Sequence, residues 1–285
     1  MPKRIAYLGP AGTFTEQAAL MYDPSARLVS FPSVPAVAAA VTTAMVDEGV
    51  AAIENSIDGS VNDTLDILIH ESRLVIRQEL VLPVDQYLLA KPGSKQEDIK
   101  VIYSHPQALG QCRRFLEKCF PKAQLVAALS TTAAVEEMNK SQIPAAAIAT
   151  LRAAELYGAE VLARKVQDNP SNVTRFVVLA HEDHAPTGKD KTSLCLSFSE
   201  DRPGQLYAVI GEFASRDINL AKIESRPTKE MLGEYIFLID LEGHRQDPKV
   251  KEALDNVRRK AEMFKILGSY PKYETPVKPT LKSLT

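Results

Sequence analysis

The pattern that most restricts this chain is a recurring unit: a short apolar run, a polar or glycine-bearing break, then a stretch with helical spacing. Ile5-Ala6-Tyr7-Leu8 is closed by Gly9-Pro10-Ala11-Gly12, and Thr13 with Glu16 three residues on forms a capping-box helix start. Ser33 caps a predicted helix through Val37, Val41 and Met45. Val50-Ala51-Ala52-Ile53 ends in Glu54-Asn55-Ser56, and Gly59-Ser60 opens a helix with Val61, Leu65, Leu68 and Ile69 on one face. Val101-Ile102-Tyr103 ends in Ser104-His105-Pro106-Gln107. The helix after it carries Ala108, Cys112, Phe115, Leu116 and Cys119 on its apolar face, which makes both cysteines core residues. Leu125-Val126-Ala127 leads to the cap Ser130-Thr131-Thr132, and Ala145-Ala146-Ala147-Ile148 repeats the style of the Val50 strand. Short apolar runs alternating with capped helices specify an α/β fold.

The extended stretch from Leu74 to Lys91 interrupts this alternation and reads as passage into a second lobe; Leu151–Leu162 lies on the return path. The return ends at Asn172-Val173-Thr174-Arg175-Phe176, a polar loop running into the strand Phe176–Leu179. Taken alone, Thr174 is ordinary strand filler and Arg175 a surface charge. Three further polar groups turn that reading: Glu54-Asn55-Ser56, Ser104–Gln107 and Ser130-Thr131-Thr132 also lie at strand ends, where open α/β sheets bind ligands. A cleft between two lobes brings the four together. Its candidate ligand groups are the Arg175 fork, which fits a carboxylate, and the hydroxyl and amide side chains. The turn Gly9–Gly12 is either an anion site at a helix start or a plain turn; no Gly-Lys-Ser/Thr follows, so it is not a Walker loop.

After the polar segment Ala180–Asp190 the pattern changes. Thr192–Phe198 alternates as a strand, Pro203-Gly204 opens a helix with Leu206, Val209, Ile210 and Phe213 on one face, and Ile218–Ile223 and Glu234–Leu241 are strands. Lys249–Phe264 is a helix and Lys265–Tyr270 a last strand. The order βαββαβ is that of a ferredoxin-like unit. Pro271–Thr285 is rich in Pro and Lys and reads as a loose tail.

Bulk properties exclude several classes. The length of 285 residues fits about two domains. A net charge of −2 leaves no basic excess for nucleic acid, and no apolar run approaches the ~20 residues of a membrane helix. Met1-Pro2-Lys3-Arg4 and the short strand after it do not make a signal peptide, so a cytoplasmic protein is expected. Three cysteines without Cys-x-x-Cys spacing fit a reducing compartment without structural zinc. His181 and His184 are the one ligand-spaced pair; they lie in a polar segment and read as solvated, so no metal is expected.

These segments resemble the monofunctional bacterial prephenate dehydratases over nearly the whole length. The resemblance is carried by Gly9-Pro10-Ala11-Gly12-Thr13-Phe14, Glu54-Asn55-Ser56, Gly59-Ser60-Val61, Tyr103–Leu109, Asn172–Phe176, Asp201-Arg202-Pro203-Gly204 and Lys222–Pro227. It implies a two-lobed catalytic domain of periplasmic-binding-protein type (type II) at residues 1–181, a linker at 182–190, a ferredoxin-like ACT domain at 191–271 and a tail at 272–285. The implied reaction converts prephenate to phenylpyruvate, carbon dioxide and water without a cofactor. Thr174 corresponds to the family's essential threonine. Glu54, Asn55 and Gln107 match positions implicated in activity or binding; Glu54, if buried and protonated, and His105 are alternative acids, and His105 also suits a turn or cap. Arg175, Phe176, Ser56, Thr13, Ser104, Ser130, Thr131 and Asn172 complete the expected substrate site. L-phenylalanine is the implied effector, at Gly204, Gln205, Leu206, Asn219 and Leu220, with Glu224, Ser225, Arg226 and Pro227 holding the interface between ACT domains in a homodimer or dimer of dimers. Two positions depart from the family pattern: Gly-Ala-Leu-Val reads Gly204-Gln205-Leu206-Tyr207, and Ala221 replaces the usual Ser or Thr. The alternatives are an arogenate dehydratase and a non-catalytic, ACT-linked amino-acid sensor.

Overall fold

The computed structural model describes residues 2–274 apart from 201, 230 and 232. The chain divides into two compact units, one containing the residues up to Leu74 and Leu80–His181, the other Val75–Glu79 and the residues from Glu182 onward.

In the first unit the chain runs through β1 (Arg4–Leu8), α1 (Phe14–Tyr22), β2 (Arg27–Phe31), α2 (Val34–Thr42), β3 (Glu48–Asn55), β4 (Gly59–Ser60), α3 (Asn62–Asp66) and β5 (Val75–Pro83). It crosses to a second lobe for β6 (Tyr87–Ala90), β7 (Val101–Ser104), α4 (Pro106–Gln111), α5 (Arg113–Cys119), β8 (Gln124–Ala127), α6 (Thr131–Lys140), β9 (Ala145–Ala149), α7 (Leu151–Tyr157) and β10 (Glu160–Arg164). It then returns as β11 (Val173–Ala180). The first-lobe sheet has the order β2-β1-β3-β11-β5, with β4 folded back on β3; the second has β10-β6-β9-β7-β8. The last strand therefore enters the middle of the first sheet. β11 lies antiparallel to β3, with Thr174 opposite Asn55 and Arg175 opposite Glu54.

Small residues bring the layers close. β9 is Ala-rich and fully buried, and it packs with Ala134 of α6 and Ala153 of α7 in one core cluster. At Gly49 in β3 a Cβ would lie 2.8 Å from Val37 Cγ1, so α2 rests directly on the strand backbone. Three sequence expectations fail in this unit. The helix through Val37 and Val41 stops at Thr42 because the chain turns into a left-handed residue at Ala44 (φ 57°), and Met45 is 61% exposed. Gly59 and Ser60 pair with Asn55 and Glu54 as a short strand instead of opening the helix, which begins at Asn62. The Ala108–Cys119 helix is broken at Cys112 into α4 and α5. The break leaves Cys112 buried but turns Cys119 to solvent, and Phe120 takes the core position beside Leu116.

The second unit contains β12 (Asp190–Ser197), α8 (Gln205–Ala214), β13 (Leu220–Pro227), β14 (Tyr235–Glu242), α9 (Pro248–Lys260) and β15 (Met263–Pro271), in the expected βαββαβ order. Its sheet order is β13-β14-β12-β15, antiparallel throughout. Val209 and Phe213 of α8 and Val250, Leu254 and Val257 of α9 meet Leu194, Leu196, Ile239 and Leu241 in one core. The segment Val75–Glu79 belongs here, which a contiguous boundary at residue 181 does not anticipate. Glu79, 3% exposed, accepts from Lys191 Nζ at 2.9 and 2.8 Å and from the Tyr273 N–H at 2.8 Å. Gly268 is required beside Ile76 of the same segment: at φ 144° any Cβ would stand 2.2 Å from the Ile76 carbonyl oxygen. Nothing in composition marks this segment, because half of one strand changes partners while its alternation continues. Of the expected tail, Lys272 donates its N–H to Lys189 and Tyr273 is tied to Glu79; residues 275–285 lie outside the described residues.

Burial pushes the thiols of Cys112 and Cys195 up to about 12, far from the thiolate form that reacts. Native protein at pH 8 should therefore consume one equivalent of a thiol reagent, at Cys119, and three after denaturation. Uptake of more than one equivalent by the native chain would contradict the placement of Cys112 or Cys195.

Candidate active site

Within the first unit the two lobes border a cleft of about 450 Å³. It is lined by Thr13, Asn55, His105, Gln107, Ser130, Thr131 and Thr174 of the sequence candidates, together with Gln86, Gln111, Ser33 and the apolar Phe14, Pro32, Val34 and Leu129. Its size is that of a small-molecule site.

At its floor, Asn55 organises three segments. Its Nδ2 donates to Thr174 Oγ1 at 2.9 Å and to Asn172 Oδ1 at 2.8 Å, while its Oδ1 accepts the N–H groups of Ile57 and Asp58 at 2.9 and 3.1 Å. Every polar atom of this buried amide is thus occupied by the protein. Thr174, only 8% exposed, lines the cleft and accepts from Asn55, which leaves its own hydroxyl proton available to donate. Asn172 Nδ2 passes the chain on to Gln111 Oε1 at 3.1 Å, and the side chains of Gln111 (2.9 Å) and Gln107 (2.5 Å) both donate to Asp58 Oδ2. The network joins the turn after β3, the start of β11 and one face of α4, where Gln107 and Gln111 are i and i+4 neighbours.

Around this floor stand four helix starts. The N-cap residues Thr13, Ser33, His105 and Ser130 all line the cleft, and each side chain accepts a first-turn N–H: from Glu16, Ala36, Gln107 and Ala133 respectively. The remaining first-turn N–H groups have no intrahelical acceptor. Glu16 completes its capping role one residue earlier than a capping box prescribes, accepting from the Gly12 N–H at 2.7 Å. Among the described residues lining the cleft there is no Lys or Arg, so positive potential there comes from helix starts. The lobes are also tied at Gly12, whose carbonyl accepts from Thr150 Oγ1 at 2.6 Å, and by Arg152 beside Glu16 at 3.7 Å.

Several sequence candidates lie elsewhere. Arg175 follows Thr174 on a strand and so faces the opposite side. Its Nη1 stands 3.4 Å from Glu54 Oε2, and neither residue lines the cleft. Ser104 is buried and donates to the Ile148 carbonyl at 2.6 Å, tying β7 to β9. Phe176 belongs to the core under the first sheet. Ser56 accepts the Val173 N–H at 3.0 Å, and Asn172 supports Asn55; both position the floor without lining the cleft. Asp58, Gln86 and Gln111 were missed. Gln111 was detectable as the i+4 partner of Gln107; Gln86 and Asp58 carry no local signal, because their placement depends on where the chain crosses between lobes.

In the second unit, Gly204 caps α8 in the left-handed conformation (φ 88°) with open space where a Cβ would be. Gln205 Oε1 accepts the Arg202 N–H at 3.1 Å. Asn219 precedes β13, an edge strand carrying Leu220, Glu224, Ser225, Arg226 and Pro227; Glu224 pairs with Lys222 at 3.1 Å. His181, exposed, contacts the Val41 carbonyl, and His184, half-buried, contacts that of Ala185.

Comparison with known proteins agrees along both units. The family model described as Prephenate dehydratase matches residues 5–184, and that described as ACT domain matches residues 196–259. A prephenate dehydratase of Lactococcus lactis subsp. cremoris is 40% identical over 275 residues, covering 95% of this chain and 98% of that protein. A bifunctional chorismate mutase/prephenate dehydratase of Aquifex aeolicus is 43% identical over 270 residues, covering 94% of this chain and 74% of that protein. The crystal structure of prephenate dehydratase from Arthrobacter aurescens in complex with L-Phe aligns with a TM-score of 0.87 at 36% identity, over 94% of this chain and 90% of that one.

Replacing Asn55 with Leu, similar in size, should strip the partners from Asn172 Oδ1 and from the N–H groups of Ile57 and Asp58. A loss of about 3 kcal/mol is expected, seen as a lower urea midpoint with unchanged slope. An unchanged midpoint would show that the network contributes nothing to stability.

Proposed function

The chain belongs to the prephenate dehydratase family, and from that premise we propose how its cleft converts prephenate to phenylpyruvate, carbon dioxide and water. The observation that carries the reading is the Thr174 hydroxyl at the cleft, which accepts from Asn55 and so keeps its own proton available to donate. The bond from the ring to its carboxylate breaks, that electron pair aromatises the ring, and the ring hydroxyl leaves. The dianion yields monoanionic phenylpyruvate, carbon dioxide and hydroxide, which takes a proton from solvent. Thr174 is far too weak an acid to be ionised at neutral pH. It donates a hydrogen bond that strengthens as negative charge grows on the departing oxygen, which is where stabilisation accelerates the step.

The substrate's two carboxylates face helix starts instead of cations. Backbone donors at the beginnings of α1, α2 and α6 suit this, because they are fixed in place and need no reorganisation as charge moves. Gln107 and Gln111 hold the α4 side of the cleft against Asp58. Arg175 and Glu54 act from behind the strand, setting the backbone from which Thr174 projects. A second reading, the aminated substrate arogenate, draws support from Asp63, a carboxylate lining the cleft that suits an ammonium group. Rates with prephenate and arogenate on one preparation decide between them.

In the second unit, L-phenylalanine binds at the Gly204 helix start and Asn219, where the absent Cβ of Gly204 leaves room for a ligand. The edge strand β13, with Ile223 and neighbouring Tyr235 each nearly half exposed, pairs with the same strand of a second copy in a homodimer or dimer of dimers. Inhibition requires that the effector bind the less active arrangement more tightly. Among the described residues no helix is long and apolar enough to cross a membrane.

Thr174→Val should lower kcat about 100-fold or more with a smaller change in KM, and Thr174→Ser should keep measurable activity; a near-normal kcat for the Val variant would remove Thr174 from the chemistry. Calorimetry on the full chain should show saturable L-phenylalanine binding, with turnover slowed over the same concentration range. If no heat is seen, Gln205, Tyr207 and Ala221 are the departures to revert first.

A further inference from the structure

Gln86 sits on the outgoing crossing between the lobes, one residue before β6, and lines the cleft. It is 2% exposed, yet its side-chain Oε1 has no hydrogen-bond partner. Its main chain is fixed from both directions: the N–H donates to Gln167 Oε1 at 2.9 Å, and the carbonyl accepts from the Val166 N–H at 2.9 Å. Gln167 is itself held through Nε2 by Asp85 Oδ1 at 2.8 Å. The outgoing and returning crossings thus clamp the backbone of Gln86, and its Oε1 is shielded from solvent. Two residues earlier on the same side, Val84 also lines the cleft and donates its N–H to the carbonyl of Asn172 at 2.8 Å. Asn172 is the residue that shares Asn55 with Thr174.

A buried amide acceptor without a partner destabilises the protein that carries it, and an apolar side chain of the same size would not. Asn55 shows the contrast. It is equally buried but satisfied by the protein at every atom, so it positions other groups. Gln86 is held at the cleft just as firmly, yet its Oε1 is left without a partner in the protein.

We propose that Gln86 is a substrate-binding residue whose side-chain amide hydrogen-bonds the ring hydroxyl of bound prephenate, on the side of that oxygen away from Thr174. The proposal rests on the dehydratase reading above. The unpartnered atom is an acceptor, and the ring hydroxyl is the one O–H that the prephenate dianion offers. Gln86 accepts that proton while Thr174 donates to a lone pair of the same oxygen. The leaving group is then oriented before the bond breaks, by a neutral amide that adds no charge beside a dianion. A hydroxyl both donates and accepts, so the contact survives either orientation of the amide.

Gln86→Met keeps length and volume while removing both amide atoms. Its kcat/KM for prephenate should fall about tenfold or more, while its melting temperature stays equal to or above that of the unmodified chain. The product phenylpyruvate lacks the ring hydroxyl, so its inhibition constant should be the same for both proteins. Gln86→Leu should behave alike. Unchanged kcat/KM would overturn the proposal, as would weaker phenylpyruvate binding in step with it. A lowered melting temperature in both variants would assign Gln86 a structural role instead. Turnover of prephenate by the unmodified chain in the same assay separates these results from failure of the dehydratase reading itself.

Discussion

The two hydrogen bonds from Asn55 Nδ2, to Thr174 and to Asn172, are the interaction on which the catalytic unit depends. They join segments 117 and 119 residues apart in the sequence, and they make the Thr174 oxygen an acceptor on that side. Were Asn55 an acceptor instead, the threonine proton would turn toward it and the cleft would meet only lone pairs. The same amide holds the Ile57–Asp58 turn, which presents Asp58 to Gln107 and Gln111. One side chain therefore couples the polarity of the floor to the position of the second lobe's first helix.

Around that floor no Lys or Arg lines the cleft among the described residues. A flexible cation in a site that breaks a carbon–carboxylate bond would stabilise the substrate at least as well as the transition state, which raises affinity without raising rate. Helix starts attract anions more gently and from fixed positions. The charged pair that the sequence offers, Arg175 with Glu54, is held on the far side of the strand, where its charges largely compensate each other. Lobe contact is made by Thr150 with Gly12 and by Arg152 with Glu16, small and specific ties beside a cleft that must admit and release ligands.

The alternation of apolar runs and caps, together with the late switch to βαββαβ, was readable because both rest on local periodicity and on the capping preferences of Ser, Thr and His. The same caps located much of the cleft wall: Thr13, His105, Ser130 and Thr131 were legible as helix starts and became cleft residues through the topology. The differences in placement share a cause. Arg175, Ser104 and Phe176 stand in the right segments, but strand alternation and the pairing of β11 with β3 decide which face each side chain takes. Cys119 was placed inside by a period that continued through Cys112, where the helix breaks.

By itself the sequence determined the element types, the two-part organisation and the family, since these follow from local pattern and motif. Tertiary structure decided that Thr174 faces the cleft and Arg175 does not, because facing depends on register between strands more than a hundred residues apart. It decided that Val75–Glu79 packs with the second unit, around Glu79 and Gly268, although that strand's pattern is continuous. It also decided that Gln86 lies buried and unpartnered at the cleft. A glutamine before a strand carries no local mark of burial, and only the clamp between the two crossings creates one.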